Sequence, residues 1–298
     1  MAAEQIYVPK DDGGLLSRNA KARLGKGLSY LLLALILLLI GIPIFWMLSG
    51  SLKTTQEITA IPLRWLPTSL RWENFQDAWN AAPFDRFYIN TIVTTAFGSG
   101  LELLNATFTA YALAFLRFPK KTLVFIIVLV ALMIPDEVVI LPNYLTVASI
   151  PIFDWNWVNT YQGIIIPGAS VAFGAFFLRQ AFLGLPREVL DAAKVDGCGH
   201  VRMLWDMVVP MARPSILTFG LLSLVAKWNE YLWPLVVTSE DRMRTLTVGL
   251  TYLFDNEGNT EWGVVMAGTI FVLAPLIIIF IWAQRFIIEG ITSGATKG

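Results

Sequence analysis

Residues Leu28–Gly50 run for 23 positions without an Asp, Glu, Lys or Arg, and their centre reads LLLALILLLIGIPIFWML. At about 1.5 Å rise per residue, a helix of this length crosses a hydrocarbon core of roughly 30 Å. A helix packed at the edge of a soluble core would carry a polar stripe, and this one has none. A cleaved secretion signal has an apolar region of about 7–15 residues followed by a small-residue cleavage site. Here the stretch is longer and passes into Ser51-Leu52-Lys53 with no such site. The segment therefore reads as a retained membrane helix.

The rest of the chain follows suit. Of 298 residues, 56% are hydrophobic and 15% charged, against about 45–50% and 25% in ordinary soluble domains. That composition excludes intrinsic disorder. The charges balance at 22 basic and 22 acidic, which argues against a nucleic-acid binder with a broad basic face. A single cysteine, Cys198, excludes an intramolecular disulfide, and a single histidine, His200, excludes multi-histidine zinc sites. Further apolar runs occupy 88–116, 122–141, 160–182, 215–238 and 264–286. The expected fold is an all-α integral membrane protein with six transmembrane helices, its membrane domain spanning 28–286 between tails 1–27 and 287–298. Pro135, Asp136, Glu137 and Pro142 interrupt the far end of the third crossing.

Short-loop basic residues set orientation. Lys10, Arg18, Lys21, Arg23 and Lys26 lead the chain, and Arg117, Lys120 and Lys121 follow the second crossing. Arg187, Lys194, Arg202 and Arg213 follow the fourth, and Arg285 and Lys297 close the sixth. The alternate loops are poorer: 143–159 has no Lys or Arg, 239–263 is net acidic, and 51–87 balances its basic residues with Glu57, Glu73, Asp77 and Asp85. Both termini are expected in the cytoplasm. The stretch 51–87, with Trp65, Trp72 and Trp79, reads as an outer cap, and Trp155, Trp157, Trp233 and Trp262 read as an interfacial aromatic belt.

Between the fourth and fifth crossings lies a loop at 184–214, GLPREVLDAAKVDGCGHVRMLWDMVVPMARP. Pro186 suits a first helical turn, and Glu188 and Asp191 sit near the positive end of the helix dipole. Ala192 and Ala193 favour helix, and Gly197 is placed to stop it in a left-handed conformation. A second short helix over about 200–209 follows, before Pro210 and Pro214. The expected object is a helix–turn–helix with a small-residue face flanked by charge. From the residues alone it could serve either as a docking face for another protein or as a helix resting on lipid headgroups.

The pattern Asp191-Ala192-Ala193-x-x-Asp196-Gly197, with Pro210 thirteen positions after Gly197, resembles the EAA loop of ATP-binding-cassette importer permeases. Asp191 stands where that family usually has Glu, which keeps the charge and shortens the arm. Asn90-Thr91, Ala110-Tyr111-Ala112-Leu113-Ala114, Arg117-Phe118-Pro119 and Leu132-Met133-Ile134-Pro135 resemble the maltose-type, sugar-importing branch. So do Trp228-Asn229-Glu230-Tyr231-Leu232-Trp233-Pro234 and the final Gly290–Gly298. The resemblance implies a multi-pass inner (plasma) membrane subunit that pairs with a second, similar or identical permease. Glu188, Asp191, Ala192, Ala193, Asp196 and Gly197 would dock onto two ATPase subunits, and an external solute-binding protein would deliver a carbohydrate-type solute. ATP and Mg would reside on the ATPase partners, this chain binding no cofactor and catalysing no reaction. In agreement, the only Gly-Lys pair, Gly25-Lys26, has Ala20 and Gly27 where a phosphate-binding loop needs Gly and Ser or Thr.

Ionisable groups inside a span are costly and usually face the bundle interior. Glu102 lies mid-way along the second crossing, and Thr95, Asn105 and Thr109 have helical spacing that lets them share its face. It could line a translocation path or link to a neighbouring helix. Arg179 and Gln180 read as snorkelling residues. Lys227 and Glu230 are spaced to pair, and Asn229 or Glu230 could touch solute. A second reading of the chain is a self-sufficient ion-coupled carrier or lipid-active membrane enzyme. The long helical loop and the lack of a catalytic cluster weigh against it.

Overall fold

The computed structural model describes residues 18–150, 155–169, 172–255 and 259–295. The described residues are almost entirely helical and form no strand beyond one isolated bridge, Ile150 to Trp155. We number ten helices: α1 (Arg18–Gly50), α2 (Phe84–Phe115), α3 (Lys121–Ala131), α4 (Asp136–Ala148), α5 (Ala172–Leu183), α6 (Arg187–Val195), α7 (His200–Met211), α8 (Arg213–Asn229), α9 (Leu232–Val237) and α10 (Trp262–Ala295). Helix α1 begins at Arg18 rather than Leu28, and α10 continues to Ala295. Residues 1–17 and 296–298 of the expected tails lie outside the described residues.

Two unbroken helices are long and apolar enough to cross a membrane, Gly25–Gly50 and Trp262–Gln284, and the number rises to four if two bent pairs each count as one span. Along Gly25–Gly50 only Ser49 and Gly50, at its end, are buried within the chain, and the Leu and Ile side chains from Leu28 to Leu48 are exposed. The third expected crossing, 122–141, is not one helix. It breaks after Ala131 and resumes at Asp136, with α3 and α4 bent by 98°, and α4 runs on to Ala148. Pro135 explains the break, because it disfavours helical backbone at Ile134. Asp136 and Glu137 then suit the positive end of α4. The run 160–182 is likewise split into a short turn, Tyr161–Ile165, and α5, and the run 215–238 into α8 and α9.

Helix α2 is the axis of the bundle, packed against α5 and α8. Gly174 of α5 makes this close approach feasible: a Cβ there would collide with Phe219 of α8 and Ala106 of α2. The end of α2 is held by cations. Lys121 Nζ donates to the carbonyls of Ala114 and Leu116, both at 3.0 Å, and Arg179 Nε donates to that of Leu113 at 3.2 Å. These groups satisfy terminal carbonyls that have no intrahelical partner. Arg179 also stacks over the Phe125 ring, 4.0 Å from its centroid. It therefore braces α2 against α3 instead of snorkelling.

At the other end, residues 51–87 form a cap. The buried Asn74 side chain donates to the carbonyls of Ser51 and Lys53 at 2.9 Å each. Lys53 Nζ donates to the carbonyls of Arg64 and Trp65 at 2.6 and 3.0 Å. Trp233 departs from the aromatic-belt expectation: it is buried, and its indole N–H bonds the carbonyls of Gly163 and Ile164.

Candidate functional site

The loop after α5 is a capped helix pair. Pro186 is the residue before α6, with Glu188 in the first turn and Asp196 as the last half-helical residue. Gly197 has φ +76°, its N–H bonds the Lys194 carbonyl, and the Cys198 N–H bonds the Ala193 carbonyl at 2.9 Å. That paired arrangement is the Schellman termination, and it satisfies carbonyls the helix would otherwise leave open. The left-handed glycine is therefore where the sequence places it. Helix α7 then runs from His200 through a π-helical stretch, Met203–Val208, to Met211. Pro210 does not end it. The break falls at Ala212, where α7 and α8 bend by 85°, and Pro214 lies in the first turn of α8, where a missing N–H costs nothing.

Burial divides the expected docking residues. Glu188, Asp191, Ala192, Asp196 and Gly197 are exposed. Ala193 is not: with Leu190 it faces inward and packs in a cluster with Met203, Leu204, Val208, Tyr111 and Phe182. A helix repeats every 3.6 residues, so adjacent alanines must part this way when Leu190 is the anchor. Val195 and Val201 instead stand outward at 88% and 71% exposure. Lys194 Nζ pairs with Asp191 Oδ1 at 2.8 Å, and this bond holds the Asp191 carboxyl below its usual range. His200 Nδ1 lies 3.0 Å from the Tyr111 hydroxyl of α2.

A second feature is a cavity of about 690 Å³. It sits where the three broken runs meet, at Pro135-Asp136, Pro167-Gly168 and Glu230-Tyr231. Irregular backbone at membrane depth is tolerated where it is buried or lines a cavity. Glu102, Asp136, Glu137 and Glu230 line it, against one lysine, Lys227, along with Asn143, Phe173, Tyr231 and Trp233. Glu102 Oε2 accepts from the Ser223 hydroxyl at 2.7 Å, and Lys227 Nζ lies 3.4 Å from Glu230 Oε2. Glu102 thus both joins α2 to α8 and faces the cavity.

Of the expected path residues, Glu102 and Glu230 meet here, whereas Asn105 and Asn229 are absent from the lining. The Asn229 side chain is exposed and bonds back to the Val225 carbonyl of its own helix. Thr95, expected on the face of Glu102, is buried. Asp136 and Glu137 were legible only as interruptions of a span. Two acids directly after a proline in an apolar run are the signal that marks a discontinuous helix facing polar space.

Comparison with known proteins agrees with this architecture. The model of the family described as binding-protein-dependent transport system inner membrane component matches residues 106–293. The chain is 32% identical to the arabinooligosaccharides transport system permease protein AraQ of Bacillus subtilis, over 93% of this chain and 96% of that one. It is 31% identical to the sn-glycerol-3-phosphate transport system permease protein UgpE of Yersinia enterocolitica, over 82% of this chain and 87% of that one. A crystal structure of a bacterial ABC transporter involved in import of the acidic polysaccharide alginate shares the fold, with TM-score 0.76 and 23% identity over 91% of this chain and 99% of that one. A second structure, of an alginate transporter in complex with alginate-pentasaccharide-bound periplasmic protein, superposes with TM-score 0.65 at 15% identity, covering 89% of this chain and 94% of that one. The matched segment contains the capped loop and nearly all of the helices that frame the cavity. By that match, the chain belongs to the binding-protein-dependent transport system inner membrane component family.

Proposed function

We propose that this chain is one permease subunit of an ATP-driven importer, forming half of a translocation path for a carbohydrate-type solute. The carrying observation is that the exposed, capped α6–α7 pair is packed onto α2, the same helix whose middle lines the cavity. In this reading Glu188, Asp191, Ala192, Asp196 and Gly197 contact ATPase subunits that hold ATP and Mg. Ala193 supports that face from beneath. The cavity, with Glu102 and Glu230 on its wall, is this chain's share of the path. Six crossings with both termini on one side follow if α2, the α3–α4 pair, the split 160–182 run and the α8–α9 pair each cross once beside α1 and α10, and the basic short loops support assigning that side to the cytoplasm. The bare surface of α1 then faces lipid or a second permease.

The cavity chemistry favours a neutral solute. Four carboxylates offer acceptors for hydroxyl groups, and the lone lysine is engaged by Glu230. Phe173, Tyr231 and Trp233 supply ring surface. The named relatives are permeases for an arabino-oligosaccharide and for a phosphorylated polyol, and the lining suits the former chemistry.

The test is reconstitution in vesicles with the partner permease, the ATPase and the solute-binding protein. We expect ATP-dependent accumulation of a neutral oligosaccharide, abolished when the ATPase is omitted. Accumulation by the chain alone under an ion gradient would overturn the proposal in favour of a self-sufficient carrier.

A further inference from the structure

Besides its apolar packing on α2, the helix pair α6–α7 has two specific connections to the cavity-lining helices, and together they close a ring. The first is covalent: α7 bends at Ala212 into α8, which carries Ser223. The second is a side-chain contact: His200 Nδ1 at the start of α7 lies 3.0 Å from the Tyr111 hydroxyl near the end of α2. The ring closes where Ser223 donates to Glu102 on α2 at 2.7 Å. Between Glu102 and Tyr111, α2 is unbroken. At about 1.5 Å per residue, that stretch is a rod of roughly 14 Å. It is clamped on its way by buried Ala106 and Ala110.

Tyr111 is nearly buried, its ring 5.4 Å from Phe115 and edge-on to the His200 ring, whereas His200 itself is exposed. The histidine thus lies at the boundary between the free surface of the loop and the core of the bundle.

We infer that His200 is a positioning residue for coupled transport, its bond to Tyr111 making α2 move with the docking loop. With the bond in place, a displacement of α7 reaches the cavity wall on both sides, through α8 and through α2. Without it, only apolar packing and the Phe108–Trp205 ring contact tie α7 to α2, surfaces that can slide, and a displacement of α7 is carried mainly by α8. This inference rests on the reading of α6–α7 as the ATPase-docking face, and it adds a specific joint to that reading.

The amide of Asn can take the place of the imidazole Nδ1, whereas that of Gln reaches the place of Nε2. The experiment therefore compares His200→Asn, His200→Gln and Tyr111→Phe in the reconstituted four-component transporter. The readouts are ATP hydrolysed per solute imported, co-purification with the ATPase, and the thermal midpoint. We expect His200→Gln and Tyr111→Phe to raise the ATP-to-solute ratio by about fivefold or more, at the low end of measured couplings between sites. Assembly and thermal midpoint should stay as in the unaltered chain, and His200→Asn should keep the original ratio. An unchanged ratio in both His200→Gln and Tyr111→Phe overturns the inference, as does equal uncoupling by Asn and Gln. If Tyr111→Phe fails to assemble, the Asn–Gln pair decides. If the unaltered complex imports no solute, it is the functional reading that fails.

Discussion

The Tyr161 hydroxyl donates to Asn90 Oδ1 at 2.8 Å, joining the turn before α5 to the outer part of α2. The Asn90 amide spends its two N–H bonds on the carbonyls of Arg242 and Arg244, at 2.9 and 2.8 Å. Next to it, the Thr91 hydroxyl accepts from the Leu246 N–H at 2.8 Å. The Asn90-Thr91 pair is thus a polar staple that pins the 239–263 loop to the bundle.

Replacing Asn90 with Ala leaves those carbonyls unpaired, at a cost of about 2 kcal/mol for buried polar groups without partners. Asn90→Asp should be worse than Ala, because a carboxylate turns a third acceptor toward two carbonyls. Thermal unfolding in detergent should rank the three chains Asn, Ala, Asp. An Asp variant as stable as the original would refute the staple.

Gly174→Ala inserts a methyl between Phe219 and Ala106, both fully or almost fully buried. Overpacking of this kind costs about 1–3 kcal/mol. The loss should be recovered in part by Phe219→Leu, which makes room. Double-mutant analysis of thermal midpoints checks the point, since touching residues should be non-additive.

At Gly197 nothing lies within 4 Å of the place a Cβ would occupy, so a substitution there meets no clash and its cost is conformational alone. For an alanine forced to φ +76° that cost is about 1–2 kcal/mol. Asn should lose less and Val more. Exchange of the Cys198 amide, which is bonded to the Ala193 carbonyl, reports the loosening, and ATPase capture should weaken in the same order.

The cap at 54–68 should respond to acid. The Thr68 hydroxyl and the Thr54 amide both donate to the Glu57 carboxylate, and they hold it below the ordinary range. A carboxyl depressed in the folded state stabilises fully above its unfolded value, about 4.3 for Glu. That contribution fades as pH falls below it. The Thr68 amide, bonded to Glu57 at 3.1 Å, should lose protection against exchange in acid, corrected for intrinsic rate. Glu57→Gln should abolish the acid step.

The α6–α7 loop was the most legible part of the chain, because its signals are local: a proline before α6, an acid in its first turn and a glycine one step past its end. Which alanine faces outward was less legible, since Leu190 and the Tyr111 cluster decide it across a long sequence separation. The apolar runs announced membrane helices but hid their breaks at Ile166–Gly168 and Glu230–Tyr231. Hydropathy sums over a break without registering it. The cavity depends on those breaks, so its lining was visible only in Glu102 and Glu230, two ionisable groups already anomalous in their setting. Asn105 and Asn229 have the right chemistry at the wrong angle.

Helix ends carry amides and carbonyls that the helical ladder does not use, and three interrupted runs bring such ends to the cavity. On the proposed reading of the cavity as the path, part of what a solute meets there is main chain, common to all amino acids. Side-chain replacement can retune the carboxylates and rings around it but cannot erase this component. Two chains that differ at most lining positions can then keep one hydroxyl-binding grammar while changing its vocabulary.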